Sequence, residues 1–260
     1  VEFPHYLNIA GQQIHPHPVF EMLAYFSAFQ LFLFLRKRWE SLSTREGPSP
    51  VVPFNLQIAL LFACGFGAFF GSKVLAWLES PSQFWLHKHE LAAWTGGKTI
   101  VGGLLGGWLG IEIAKKAVGI RESTGDLVVF PLILAIAVGR IGCFLTGLED
   151  HTHGDATSSV FGIDFGDGIR RHPTQLYEIA FMAVLAHFFW IRLRARFRNG
   201  ELFRTFMLLY LGFRFGIDFF KPSERPLGLS AIQIASLLGA LYSGWLLYFM
   251  RRERLHDAAS

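Results

Sequence analysis

Four cations stand where an apolar chain has no ordinary use for them. Lys73, Lys98, Arg140 and Arg214 each fall inside or at the edge of a long apolar run. A charge facing hydrocarbon costs several kcal/mol, so such residues turn inward and mark binding or transport paths. Arginine adds shape to charge, because its planar fork matches the oxygens of a phosphate. The expected chemistry is capture of an anionic headgroup, most simply a phospholipid phosphate. Arg140 carries this reading best: it stands in Gly139-Arg140-Ile141-Gly142-Cys143-Phe144 with no acidic residue within one helical turn. Glycines at 139 and 142 permit either close helix packing or approach of a headgroup to the backbone. Arg214 has Asp218 one turn further on, which fits a fold-supporting ion pair and a substrate role equally. Lys73 and Lys98 either snorkel to the interface or join the same anionic pocket.

A second polar group follows. Gln175, Tyr177 and Glu178 enter an apolar run directly after His172-Pro173. Polar groups at membrane depth need a protein partner or a substrate, and Pro173 suits the first turn of a helix. Upstream, Glu149, Asp150, His151, His153, Asp155, Asp164 and Asp167 make a polar segment. Imidazole and carboxylate suit zinc, but Asp150, His151, His153 and Asp155 have no second cluster to complete four ligands. A solvated cap is expected there, and no metal.

Positioning these residues falls to membrane helices. The chain has 260 residues, 52% of them apolar and only 17% charged, with 27 Phe, 7 Trp and a mean hydropathy of +0.35. Soluble domains carry about a quarter charged residues. The apolar residues run in blocks of about bilayer-crossing length, roughly 16–25 residues. A soluble enzyme, a disulfide scaffold and a disordered chain are excluded. The fold class expected is an all-α integral membrane protein, one transmembrane domain over 1–260. Its seven transmembrane helices fall near 19–35, 52–78, 99–118, 127–148, 173–191, 205–220 and 229–250, with a small external cap at 149–172. One break between spans is Glu46-Gly47-Pro48-Ser49-Pro50.

Fifteen of the 24 Lys and Arg fall in the loops at 36–45, 115–121, 192–204 and 251–254, and five fall on the other side, Lys88, Arg170, Arg171, Lys221 and Arg225. The positive-inside rule puts the fifteen in the cytoplasm, with the N-terminus outside and the C-terminus inside. The net charge of +4 and pI near 9.2 therefore report topology, not nucleic-acid binding. At about 1.5 Å per residue, Arg140 lies roughly 12 Å and Arg214 roughly 9 Å below the outer ends of their spans. Cys64 and Cys143 both sit in apolar blocks and suggest no disulfide framework. The first residues carry no Lys or Arg before an apolar core, so no cleavable signal peptide is expected.

Taken in order, these motifs resemble the prolipoprotein diacylglyceryl transferases. The resemblance rests on the Gly139–Phe144 arginine motif, the His172–Glu178 run, the Arg214–Lys221 run, and Gly228-Leu229-Ser230 with Gln233. Gly71-Ser72-Lys73 is similar to the family's Gly-Gly-Arg stretch, and Gly96-Gly97 and Gly102-Gly103 to its glycine pairs. It covers most of residues 15–245. The resemblance implies a bacterial inner-membrane enzyme that moves the diacylglyceryl group of phosphatidylglycerol to the lipobox cysteine thiol of a prolipoprotein, releasing glycerol phosphate. It implies no metal or organic cofactor. Arg140 and Arg214 would then bind phosphate and stabilise the departing anion. Lys73, Lys98, Gly139, Gly142, Cys143, Gln175, Tyr177 and Glu178 would line the substrate site. Two positions depart from the pattern: Val101 stands where the family carries His, and Cys143 where it carries Asn. The base is thereby left among His172, Glu149 and Asp218. A different acceptor, or a non-catalytic lipid-binding or transport role, stays open alongside. Against transport, the sequence has no inverted repeat and no paired broken helices.

Overall fold

A computed structural model describes residues 3–9, 11–44, 53–225 and 228–259. The expected break at Glu46-Gly47-Pro48-Ser49-Pro50, with Arg45 beside it, lies outside the described residues. In chain order the helices are α1 (Pro16–Leu42), α2 (Phe54–Glu79), α3 (Pro81–His87), α4 (Leu91–Thr95), α5 (Ile100–Val118), α6 (Val129–Thr146), α7 (Thr174–Leu193), α8 (Glu201–Ile217) and α9 (Ala231–Ala259). Two short antiparallel hairpins accompany them. Strand β1 (Leu7–Ile9) pairs with β2 (Gln12–Ile14), and β3 (Ile163–Asp164) with β4 (Arg170–Arg171).

Among the described residues, five stretches are long and apolar enough to cross a membrane: Pro16–Leu42, Asn55–Glu79, Asp126–Asp150, Thr174–Leu193 and Ala231–Arg254. Of the other two expected spans, α5 carries Glu112, Lys115 and Lys116 in its last turns, and α8 has 17 residues. Burial runs opposite to that of a water-soluble protein. Phe62 and Phe66 are 76% and 69% exposed, whereas Arg140 and Glu178 are 5% and 1% exposed. Large apolar faces turned outward, with charges and amides inside, suit hydrocarbon as the solvent. The chain is a helical membrane protein.

The chain forms two compact units. The first comprises Val1–Pro48, Thr124–Phe203 and Phe220–Pro222. Here α1 packs on α6 and α6 on α7. Helix α1 starts where Pro16 fixes the first turn and the His15 side chain accepts from the His17 N–H at 3.3 Å. Asp126 ties the following chain down, accepting from the Gly200 and Phe203 N–H groups at 2.6 and 3.0 Å. Met182, Leu185, Phe189 and Leu193 recur at helical spacing along α7 and are buried.

The second unit comprises Ser49–Ser123, Arg204–Phe219 and Ser223–Ser260. Its centre is the α2–α5 pair. A Cβ at Gly67, Gly71, Gly102, Gly106 or Gly110 would stand 2.2–2.3 Å from a carbonyl oxygen of the facing helix. Backbone therefore meets backbone, the small-residue packing that holds membrane helices together where lipid removes the hydrophobic drive. Thr99 caps α5 by accepting from the Gly102 N–H at 3.3 Å, and Gly119 closes it at φ +76°.

Candidate active site

The first unit buries Arg140 near the end of α6 against Glu178 in the second turn of α7. Arg140 Nε lies 2.8 Å from Glu178 Oε2, near enough for an ion pair although the N–H does not point along the contact. Arg140 Nη1 donates to Cys143 Sγ at 3.7 Å, one turn further along α6. Thiol sulfur is a weak acceptor, so a phosphate oxygen would displace it readily. The sequence flagged Arg140 and Glu178 separately as substrate residues; the structure brings them together.

Beside that pair the chain assembles a second polar group. His17 Nδ1 is 2.7 Å from Asp150 Oδ1. Asp150 Oδ2 accepts from Thr152 Oγ1 at 2.7 Å, and Thr152 Oγ1 accepts from Gln175 Nε2 at 3.1 Å. Thr174 Oγ1 donates to the Thr152 carbonyl at 2.6 Å. One donor atom from each of His17, Cys143 and Asp150 lies within 4.8 Å of the others. Gly142 makes this possible: a Cβ there would be 2.6 Å from Phe20 Cβ, so only glycine admits α1 at this point. Gly139, by contrast, has open space where a Cβ would stand. His17 went unremarked in the sequence, since its place depends on α1–α6 contact and not on neighbours in the chain. Its one local signal is the His15-Pro16-His17 helix start.

Other expected residues are distributed differently. His172 Nδ1 lies 3.1 Å from the Tyr177 hydroxyl, and its ring packs edge-on against Phe220. Glu149 is exposed, 3.4 Å from His15 Nε2. The residues read as a solvated cap separate: Asp150 turns inward with a side chain 8% exposed, His153 contacts the Gly154 carbonyl, and His151 and Asp155 are exposed. In the β3–β4 hairpin, the Arg171 guanidinium 2.7 Å from Asp167 holds that carboxyl below the usual carboxylate range.

In the second unit, Lys73 is buried and donates to the Gly96 and Gly97 carbonyls at 3.1 and 2.9 Å. Its ammonium holds the turn before α5. Lys98, next in that turn, is exposed. Asp218 Oδ2 accepts from Ser230 Oγ at 2.5 Å. Ser230 caps α9 by accepting from the Gln233 N–H at 3.1 Å, while Gln233 Oε1 accepts from the Ser230 N–H at 2.9 Å. This is a reciprocal capping box. Glu79 Oε2 joins it, accepting from the Ile232 N–H at 3.0 Å. Two carboxylates thus sit at the positive end of α9, where that charge is favoured. Arg214 is buried in the same unit, 3% exposed, and Val101 is fully buried.

Fold and sites together define an integral membrane protein whose polar interior is built around buried arginines. The prolipoprotein diacylglyceryl transferase family model matches residues 4–249, and the chain belongs to that family. It is similar to the phosphatidylglycerol–prolipoprotein diacylglyceryl transferase of Geobacter sulfurreducens, at 27% identity over 89% of this chain and 88% of the relative. The transferase of the same name from Methylobacillus flagellatus is 29% identical, covering 89% and 91% of the two chains. That from Bordetella avium is 25% identical over 89% and 88%.

Proposed function

We propose that the chain transfers the diacylglyceryl group of phosphatidylglycerol to the lipobox cysteine thiol of a prolipoprotein, in the bacterial inner membrane. The observation that carries this reading is Arg140. It is buried at the end of an apolar helix, matched by one carboxylate at 2.8 Å, with a fork nitrogen resting on a weak sulfur acceptor. The names of the relatives supply the two substrates.

In the proposed reaction the acceptor sulfur attacks the glyceryl carbon bonded to the phosphate oxygen. The C–S bond forms, that C–O bond breaks, and glycerol phosphate leaves with the bonding pair. Arg140 meets the phosphate as its charge grows, and Glu178 keeps the guanidinium oriented. The thiol proton passes to a base. His172, in the tautomer whose Nδ1–H donates to the Tyr177 hydroxyl, keeps Nε2 as a proton acceptor and suits this better than Asp218, whose carboxylate is engaged with Ser230. The reading includes seven crossings formed by α1, α2 and α5–α9 as one transmembrane domain. The 149–172 cap then lies outside and the C-terminus in the cytoplasm.

Reconstituted protein given phosphatidylglycerol and a lipobox peptide should yield a diacylglyceryl-peptide by mass spectrometry, and Arg140→Lys should not. Glycerol phosphate released only when a cell extract replaces the peptide would mean a different acceptor. No product with either would overturn the transferase reading.

A further inference from the structure

His17, Cys143 and Asp150 have the composition and spacing of a metal site. We propose that they bind one zinc-class divalent cation through imidazole nitrogen, thiolate sulfur and carboxylate oxygen. This set leaves the fourth tetrahedral position for a ligand from outside the group.

Among the described residues this is the group of His, Cys, Asp and Glu whose donor atoms converge, all within 4.8 Å. Zinc bonds of about 2.0 Å to N and O and 2.3 Å to S space tetrahedral ligand atoms roughly 3.3–3.6 Å apart. The cation therefore requires the 2.7 Å contact between His17 Nδ1 and Asp150 Oδ1 to open by about 0.6 Å. It replaces the proton in that contact and the thiol proton of Cys143, and both leave on binding.

The surroundings are those of a built site. Asp150 presents Oδ1 to the cluster because Thr152 Oγ1 holds Oδ2, and Gln175 holds Thr152 in turn. What turns His17 Nδ1 toward the cluster is its 2.7 Å contact with Asp150 Oδ1; on the far side of the ring, Glu21 Oε2 is 3.9 Å from Nε2, beyond hydrogen-bond reach. Charge balances as well. Thiolate and carboxylate neutralise the divalent ion, while Arg140, 3.7 Å from the sulfur, is matched by Glu178. His17 is partly exposed, which gives an entry path.

The open position suits a thiol. Zinc binds thiols as thiolates and lowers their pKa, which is the task left to a base in a chain with valine at position 101. This part rests on the transferase reading, whereas the site itself does not.

Full-length protein purified in detergent should hold about one zinc by elemental analysis. With cobalt(II) in its place, it should show a thiolate-to-cobalt charge-transfer band. Cys143→Asn, which keeps side-chain volume and polarity, should abolish that band, and Asp150→Asn and His17→Gln should each weaken binding at least about tenfold. Circular dichroism melts would identify a variant that fails to fold. No zinc retained and no cobalt band in the parent protein, or binding unchanged in the folded variants, would overturn the site. If the band appears but does not intensify on adding a lipobox-cysteine peptide, the site stands and its role in binding the acceptor falls. Transferase activity with the metal stripped would likewise remove only that role.

Discussion

At the scale of single residues, the strongest commitment is the Arg140–Glu178 pair. Removing one partner of a buried ion pair leaves an uncompensated charge, at a cost of about 3–5 kcal/mol. Glu178→Gln should therefore lower the melting temperature in detergent as well as turnover. Arg140→Met combined with Glu178→Met should recover much of the stability and none of the activity. Lys73 poses the opposite question. Its two carbonyl contacts make Lys73→Met a stability variant, losing about 1.5–3 kcal/mol. A lysine reserved for substrate would instead leave the melt unchanged and raise only KM for the lipid. Spacing exposed Arg140 as unusual because nothing acidic lies within a turn of it. The sequence marked Glu178 as a polar residue at membrane depth but not as the partner of Arg140, 38 positions away, since only packing of α6 on α7 brings the two together. The same limit hid His17, whereas Ser230 and Gln233 were legible as a motif and their local cap needs no tertiary contact.

At the scale of elements, the α2–α5 contact is decided by glycines at four-residue intervals. Gly106→Ala places a Cβ 2.2 Å from the Gly67 carbonyl oxygen, and backbone on both sides cannot yield as a side chain would. The helices must part, at about 1–3 kcal/mol, with a lower melt. Gly65→Ala is the control: it lies on the partner helix α2 with nothing within 4 Å of the added Cβ, so helix propensity makes it neutral or slightly stabilising. Equal effects from the two would mean that α2 and α5 do not meet through glycine. The sequence displayed Gly67, Gly71, Gly102, Gly106 and Gly110 openly, but spacing alone does not say which helix a glycine face meets. Residue type sets some helix ends, as Pro16 does for α1 and Gly119 for α5. The 3–10 turn over Gly147–Asp150 was not legible in the sequence, and it aims Asp150 inward from a segment that reads as uniformly polar.

For the whole molecule, the number of crossings turns on α5, which carries Glu112, Lys115 and Lys116 in its last turns, and on α8, which has 17 residues. The two possibilities place residues 149–172 on opposite sides of the membrane. With seven crossings, the fifteen-cation loops all face the cytoplasm and the β3–β4 hairpin faces out. With five, the chain after α2 stays outside through α5, α6 then crosses inward, and the hairpin becomes cytoplasmic. Charge favours seven: the five-crossing arrangement strands Lys115, Lys116 and Arg121 outside, against the bias that orients membrane helices. Alkaline phosphatase, active only outside the cytoplasm, can be inserted after Gly166, where the hairpin backbone is exposed and open. An active insertion, with a fluorescent protein joined after Arg254 still fluorescent, is the outcome seven crossings require. A silent phosphatase would put the cap in the cytoplasm, on the wrong side for an acceptor delivered across the membrane, and the proposed chemistry would need a cytoplasmic thiol instead.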